Sequence, residues 1–183
     1  MRELNVDVIT NTVEKLCIES NYFLPRDVKK ALEDAVLKEE SPVGRDTLLD
    51  ILKNAEIAER NQVPICQDTG LTVVFVELGQ DLRVVGGDFN EAINEGVRRG
   101  YKNGYLRKSV VDDPFLVRKN TGDNTPAIIQ TTIVKGDKLK ITIAPKGGGS
   151  ENMSALRMLT PSEGVKGIKK FIVDTVDKAG SNP

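Results

Sequence analysis

Apolar side chains recur every three or four positions at Val6, Ile9, Val13, Leu16 and Cys17, a spacing that predicts a helix over residues 5–20. A second helical pattern follows Pro25, which suits a first helical turn, and runs through Val28, Ala31, Leu32, Ala35 and Val36 to about residue 40. The run SPVG at 41–44 is expected to break it. A third helix is expected over 45–61, with Leu48, Leu49, Leu52 and Ala55 turned inward. The pattern then changes to the β-branched run LTVVFVEL at 71–78, a strand, followed by a turn region with a short strand around Val84 and Val85. Asp88 or Asn90 caps a helix over 90–102 through Ala92, Ile93 and Val97, closed at Gly104.

Two further β-rich runs, 126–134 and 138–145, are joined by KGDK at 135–138, which reads as a hairpin. In the second run Leu139, Ile141 and Ile143 alternate with Lys140, Thr142 and Ala144, so one face is expected to pack on helices. One or two helical turns are expected over 153–159. TPSE at 160–163 fits a capping box with proline in first position, opening a last helix to about residue 178. Helices first, strands later and a final helix define an α+β fold: N-terminal helices packed on a small, largely antiparallel sheet, with further helices. At 183 residues, 1–183 is read as a single domain with an ample core.

Composition narrows the function classes. The formal net charge is −1, with acidic and basic residues interspersed, which leaves no electrostatic footprint for nucleic acid or an anionic membrane. No apolar run approaches the roughly 20 residues of a membrane span, and the first residues lack a signal-peptide core, so a cytoplasmic protein is expected. Two cysteines, Cys17 and Cys66, are too few for a disulfide scaffold. There is no histidine, which excludes a histidine-based triad, a zincin or a histidine general base within this chain.

Chemistry concentrates in three places. PICQDTG at 64–70 sets a thiol, an amide, a carboxylate and a hydroxyl side by side, between a helix and a strand. The stretch 105–124 has no period, and a segment of that length without regular structure is usually functional. Within it Arg107 offers a planar guanidinium that can take a carboxylate bidentately, while TGDNTP at 121–126 reads as a turn in which Asp and Asn bond their own backbone. KGGGSEN at 146–152 lets backbone N–H groups approach an anion, although its spacing is not that of a P-loop. Cys17, on an apolar helix face, reads as a buried small hydrophobe. Cys66 is a structural thiol, a nucleophile or a metal ligand. A nucleophile lacks a histidine base here, and a cluster needs more thiols than this one, so the residues alone leave the choice open.

Taken together, ICQDTG (65–70), NGYLRKS (103–109), NTGDNTP (120–126) and KGGGSEN (146–152) resemble the amino-terminal region of class I fumarate hydratases and, equally, the alpha subunit of L-tartrate dehydratases. The resemblance covers nearly the whole chain. It implies a hydro-lyase that adds or removes water across a four-carbon dicarboxylate, fumarate to malate first, with a place in the tricarboxylic acid cycle. It implies a 4Fe-4S cluster acting as Lewis acid, a partner in the beta subunit or a C-terminal region of the same enzyme, and a homo-oligomer. By the same resemblance Cys66 matches a cluster ligand, Asp68 a group handling the proton of the substrate hydroxyl, and Gln67, Arg107 and Gly149 substrate binders, with the roles of Lys146 and Asn152 less defined. In the family the chain continues past GSNP (180–183) into a second cysteine ligand. That implies an N-terminal part of a longer subunit, inactive and free of cluster alone. A non-catalytic carboxylate-binding scaffold is the alternative from another class.

Overall fold

The long helical period at the start of the chain builds α1 (Val6–Tyr22), opened by Asn5, whose side chain accepts the Asp7 amide at 2.8 Å. A computed structural model describes residues 2–180, and all their side chains except those of Ser150 and Glu151. These residues fall into two compact units, divided between Lys146 and Gly147. No helix among the described residues is long and apolar enough to cross a membrane.

In the first unit α1 buries Val6, Ile9, Val13 and Cys17, the stripe its spacing requires, against α4 (Phe89–Asn103), which answers with Ala92, Ile93, Val97 and Tyr101. The two helices meet closely because Gly96 and Gly100 face Val13 and Cys17. A methyl at Gly96 would lie 2.6 Å from Val13 Cβ, and one at Gly100 2.7 Å from Cys17 Cβ. The same core takes in β2 (Leu71–Gly79), whose Thr72, Val74 and Val76 point inward on a strict period of two. β1 (Arg2–Asn5), which the hydrophobic pattern does not announce, pairs parallel with β3 (Leu82–Val85).

β2 is the central strand of the second sheet, flanked by β4 (Ile128–Val134) in parallel and β5 (Leu139–Lys146) in antiparallel pairing. The fold is α+β, but its sheets are not largely antiparallel: the two-stranded sheet is parallel and the three-stranded one mixed, because β2 takes a parallel partner on one edge and an antiparallel one on the other. The expected hairpin between the last two strands does not form: β2 lies between them. The KGDK connector is long enough to arch over the end of β2, where the amides of Gly79, Gln80 and Asp81 donate to the carbonyls of Lys138, Val134 and Gly136 at 2.8, 2.9 and 2.9 Å. A side chain at Gly79 would meet the Gly136 carbonyl at 2.4 Å, so the arch demands glycine there. Leu139, Ile141 and Ile143 pack against the core, as their alternation requires.

Helices α2 (Arg26–Lys38) and α3 (Pro42–Asn61) pack mainly on each other. SPVG is not a break outside the helices: Ser41 is the N-cap of α3 and Pro42 its first residue, the position where a missing N–H costs nothing. Only Ala55 and Ala58 of α3 are buried, while Leu49, expected inward, is exposed.

In the second unit a short 3-10 turn (Ser150–Met153) leads to an irregular segment 154–160, where helical turns were expected. Leu156 and Met158 are exposed there, and so few residues do not repay the cost of nucleating a helix. The Thr160 amide donates to Glu163 Oε2 at 2.7 Å, and a 3-10 turn at Pro161–Glu163 precedes α5 (Gly164–Ala179). Residues 181–183 of the GSNP run lie outside the described residues.

Candidate functional site

Residues 64–70 are anchored in the first unit from two helices. The Ile65 amide donates to the Asn21 carbonyl at the end of α1 (2.9 Å), and Asn54 Nδ2 of α3 donates to the Ile65 carbonyl (2.8 Å). Cys66 and Gln67 therefore stand exposed on a fixed loop. The Asp68 amide points at Cys66 Sγ (3.4 Å), and the Gly70 amide donates to Asp68 Oδ1 (3.0 Å), which sets the direction of the carboxylate. Thr69 turns inward, and its hydroxyl donates to the Arg107 carbonyl at 2.8 Å.

That bond joins the loop to the irregular segment 105–124. Its start is held as well: Tyr22 Oη donates to the Gly104 carbonyl at 2.8 Å, and Leu106 is buried. Arg107 is exposed, its backbone fixed and its guanidinium on the surface. The stretch makes one bridge, Val111 to Asn120, around a tight turn in which Asp113 Oδ1 and Oδ2 accept the amides of Phe115, Leu116 and Val117. These three bonds hold the Asp113 carboxyl below the usual carboxylate range.

Two residues that the sequence reading did not assign to the site close the arrangement. Tyr101 Oη, buried, donates to the Thr69 carbonyl at 2.7 Å and lies 3.2 Å from that of Gly70. Burial pushes this hydroxyl up to about 12, so it remains a donor. Asn124, fully buried, donates through Nδ2 to the Gly70 carbonyl (3.1 Å) and accepts through Oδ1 the amides of Ser109 (2.7 Å) and Val110 (3.1 Å). The turn reading of TGDNTP holds for Asp123, whose Oδ1 accepts the Thr125 amide at 3.0 Å, and fails for Asn124, whose side chain reaches two other segments. The signal available was an amide side chain in a segment without period; its partners 14, 15 and 54 positions away were not readable.

Strand pairing brings a further group to this end of the sheet. Lys146, the last residue of β5, stands opposite Leu71, directly after Gly70. Cys66, Gln67, Asp68 and Arg107 thus share two loops stitched by side-chain bonds to backbone. Gly149 belongs to the second unit, where it has φ 126° and its carbonyl accepts the Asn152 amide at 2.9 Å. Of the two thiols, Cys66 is exposed and Cys17 buried, and burial pushes Cys17 up to about 12.

The model of the family described as fumarate hydratase (fumerase) matches residues 10–183. This chain belongs to the fumarate hydratase family. It is 41% identical, over 96% of its length, to the putative L(+)-tartrate dehydratase subunit alpha of Methanocaldococcus jannaschii, of which it covers 63%. It is 35% identical over 73% of its length to the anaerobic class I fumarate hydratase of Escherichia coli K12, covering 24% of that protein. With the L(+)-tartrate dehydratase subunit alpha of Escherichia coli UTI89 the identity is 26% over 97% of the chain and 59% of the relative. This member of the fumarate hydratase family therefore spans less than two thirds of each of these relatives.

Proposed function

We propose that this chain is the amino-terminal part of the alpha portion of a cytoplasmic class I hydro-lyase that adds and removes water across a four-carbon dicarboxylate, interconverting fumarate and malate. The observation that carries the reading is the Thr69 to Arg107 bond, which ties the backbone of the exposed Arg107 to a loop bearing a thiol, an amide and a directed carboxylate. In this reading Arg107 pairs bidentately with a substrate carboxylate, Gln67 hydrogen-bonds the substrate, and Asp68 holds or gives the proton of the hydroxyl that leaves or arrives. Gly149 contributes a backbone contact to the substrate. The base on the opposite face comes from the beta portion, and the assembled enzyme is a homo-oligomer acting in the tricarboxylic acid cycle.

Cys66 fits one ligand position of an iron-sulfur cluster: it is exposed, on an anchored loop, with an amide directed at its sulfur. Cys17 does not fit, being buried with its thiol pushed up. Among the described residues no group of three or more Cys, His, Asp or Glu is gathered to hold a metal ion, so the other ligands come from elsewhere in the assembled enzyme. When bound, a 4Fe-4S cluster would supply a Lewis acid for the substrate hydroxyl.

A second reading, dehydration of L-tartrate, draws on the M. jannaschii relative, whose match is both longer and more identical than that of the class I fumarate hydratase. The test is anaerobic iron-sulfur reconstitution of the complete enzyme with its beta portion, followed by assays on malate, tartrate and methyl-substituted analogues. Visible charge-transfer absorbance that is lost in Cys66→Ser, with turnover of malate, is expected. Turnover of tartrate alone selects the second reading. Complete enzyme that takes up no iron and turns over no dicarboxylate overturns both and leaves a non-catalytic scaffold.

A further inference from the structure

The Asn124 side chain bonds both loops of the candidate site, holding the Gly70 carbonyl on one side and the Ser109 and Val110 amides on the other. Gly70 follows Asp68 by two residues, and Ser109 follows Arg107 by two. The short leads from the clasp to the two functional groups leave little play between them. The leads are themselves tied: Tyr101 holds the Thr69 carbonyl, and Thr69 holds that of Arg107.

The backbone of Asn124 shows that this is a fitted position. Its φ is 63°, the left-handed region where asparagine, aspartate and glycine are tolerated and most other residues are strained. Its side chain is fully buried and uses donor and acceptor ends in opposite directions. A residue needed only to turn the chain would do as well as glycine. A residue needed to fix two loops at a set span must be an amide.

We infer that Asn124 is a positioning residue that sets the span between Asp68 and Arg107, and through it the length of dicarboxylate the site accepts. This rests on the hydro-lyase reading above. A substrate gripped by one carboxylate at Arg107 and met at its hydroxyl by Asp68 is selected for the length between them only if the two groups are held at a fixed separation. Loosening the clasp leaves both groups present and removes the ruler.

Two variants separate this from a turn-forming role. Asn124→Gly keeps the left-handed backbone and removes both arms of the clasp. Asn124→Asp keeps the acceptor for Ser109 and Val110, but sets a carboxylate oxygen against the Gly70 carbonyl and breaks only that arm. In the complete enzyme, the affinity for malate against that for 2-hydroxyglutarate, whose hydroxyl lies one carbon farther from the distal carboxylate, reads the four-carbon against five-carbon preference directly, and amide hydrogen exchange at Ser109 and Val110 reads the clasp without turnover. Wild type is expected to favour malate, and both variants to lower the ratio of malate to 2-hydroxyglutarate affinity by about tenfold, with KM raised more than kcat is lowered. Faster exchange at Ser109 and Val110 is expected in Asn124→Gly.

A wild-type ratio of one, or an Asn124→Gly enzyme with the wild-type ratio, overturns the inference. Loss of kcat and thermal stability with the ratio unchanged also overturns it, since that is what a purely structural residue would give. If the complete wild-type enzyme turns over no dicarboxylate, the hydro-lyase reading fails instead, and the exchange measurement still reports whether the clasp exists.

Discussion

The Thr69 hydroxyl and the Arg107 carbonyl, 38 positions apart, are joined by a 2.8 Å hydrogen bond. Thr69 is 2% exposed, so little water is at hand to replace that partner. Thr69→Val keeps shape and removes the donor. It is expected to cost about 1–2 kcal/mol through the unsatisfied carbonyl, read as a lower urea midpoint at unchanged m-value. The same variant should weaken dicarboxylate binding in the complete enzyme, because the backbone bearing Arg107 is released. Thr69→Ser, which restores the hydroxyl, should recover both. A Val variant as stable as wild type would show that the bond carries no net stability.

The two cysteines should differ sharply in reactivity. Cys66 is exposed, whereas Cys17 is 1% exposed and its thiol is raised to about 12, first by burial. Thiolate, not thiol, is the reacting form. In metal-free native protein at about pH 8, iodoacetamide is expected to modify Cys66 and spare Cys17, with Cys17 labelled only once urea unfolds the chain. Peptide mass mapping reads the outcome. Equal labelling of both residues in the native protein would contradict the burial of α1 against α4.

Local physics made much of this molecule legible. The stripe Val6, Ile9, Val13, Cys17 specified α1, and the β-branched run after Gly70 specified β2, because each buries one face at the period of its own element. The density of polar groups at Cys66 to Thr69 marked the loop, and the lack of period over 105–124 marked the second. What escaped was non-local. β2 inserts between β4 and β5 because the core-facing strand takes a partner on each edge, and no turn signal at 135–138 tells whether the connector pairs its strands or bridges over a third. Asn124 and Tyr101 were missed for the same reason: their bonds are to backbone atoms of distant segments, which leave no pattern of side chains. Leu49 was misplaced because amphipathicity shows that a helix has a face and does not show what covers it.

The close approach of α1 and α4 gives a prediction in which steric fit opposes helix propensity. In a free helix Gly→Ala gains about 1 kcal/mol. At Gly96 the added methyl would sit 2.6 Å from Val13 Cβ and 2.7 Å from the Thr10 carbonyl, groups fixed in the core. Overpacking of that kind costs about 1–3 kcal/mol beyond any gain, so Gly96→Ala is expected to lower stability. At Gly44, in the first turn of α3, the nearest atoms belong to the flexible end of Glu39, 2.9 Å away. Gly44→Ala is therefore expected to be neutral or stabilising. Chemical denaturation of the two variants compares them directly, and a stabilised Gly96→Ala would mean that the helices can move apart.

The Arg98 network predicts how stability depends on pH. Arg98 donates to Glu91, Glu95 and Asp123 at 2.8, 2.8 and 3.1 Å, tying α4 to the segment that carries Asn124. Glu95 is held below the usual carboxylate range by hydrogen bonds from Arg99 and then Arg98. For Asp123 burial works upward and is outweighed by the hydroxyl and amide of Thr125 and by Arg98, so it too is lowered. A carboxyl whose folded value lies below its unfolded value adds stability that is complete above the unfolded range near 4 and disappears as pH falls through the folded value. The urea midpoint is thus expected to hold from neutral pH to about 5 and to fall below about 4. Arg98, Glu95 and Asp123 are about one-third exposed and Glu91 well over half, so each pair contributes at most about 1 kcal/mol. Arg98→Met should lie below wild type at neutral pH and converge with it at a pH low enough to protonate the folded carboxyls, which then no longer favour the guanidinium. Curves that stay parallel down to that pH would show that Arg98 acts through the packing of its stem rather than through its charge.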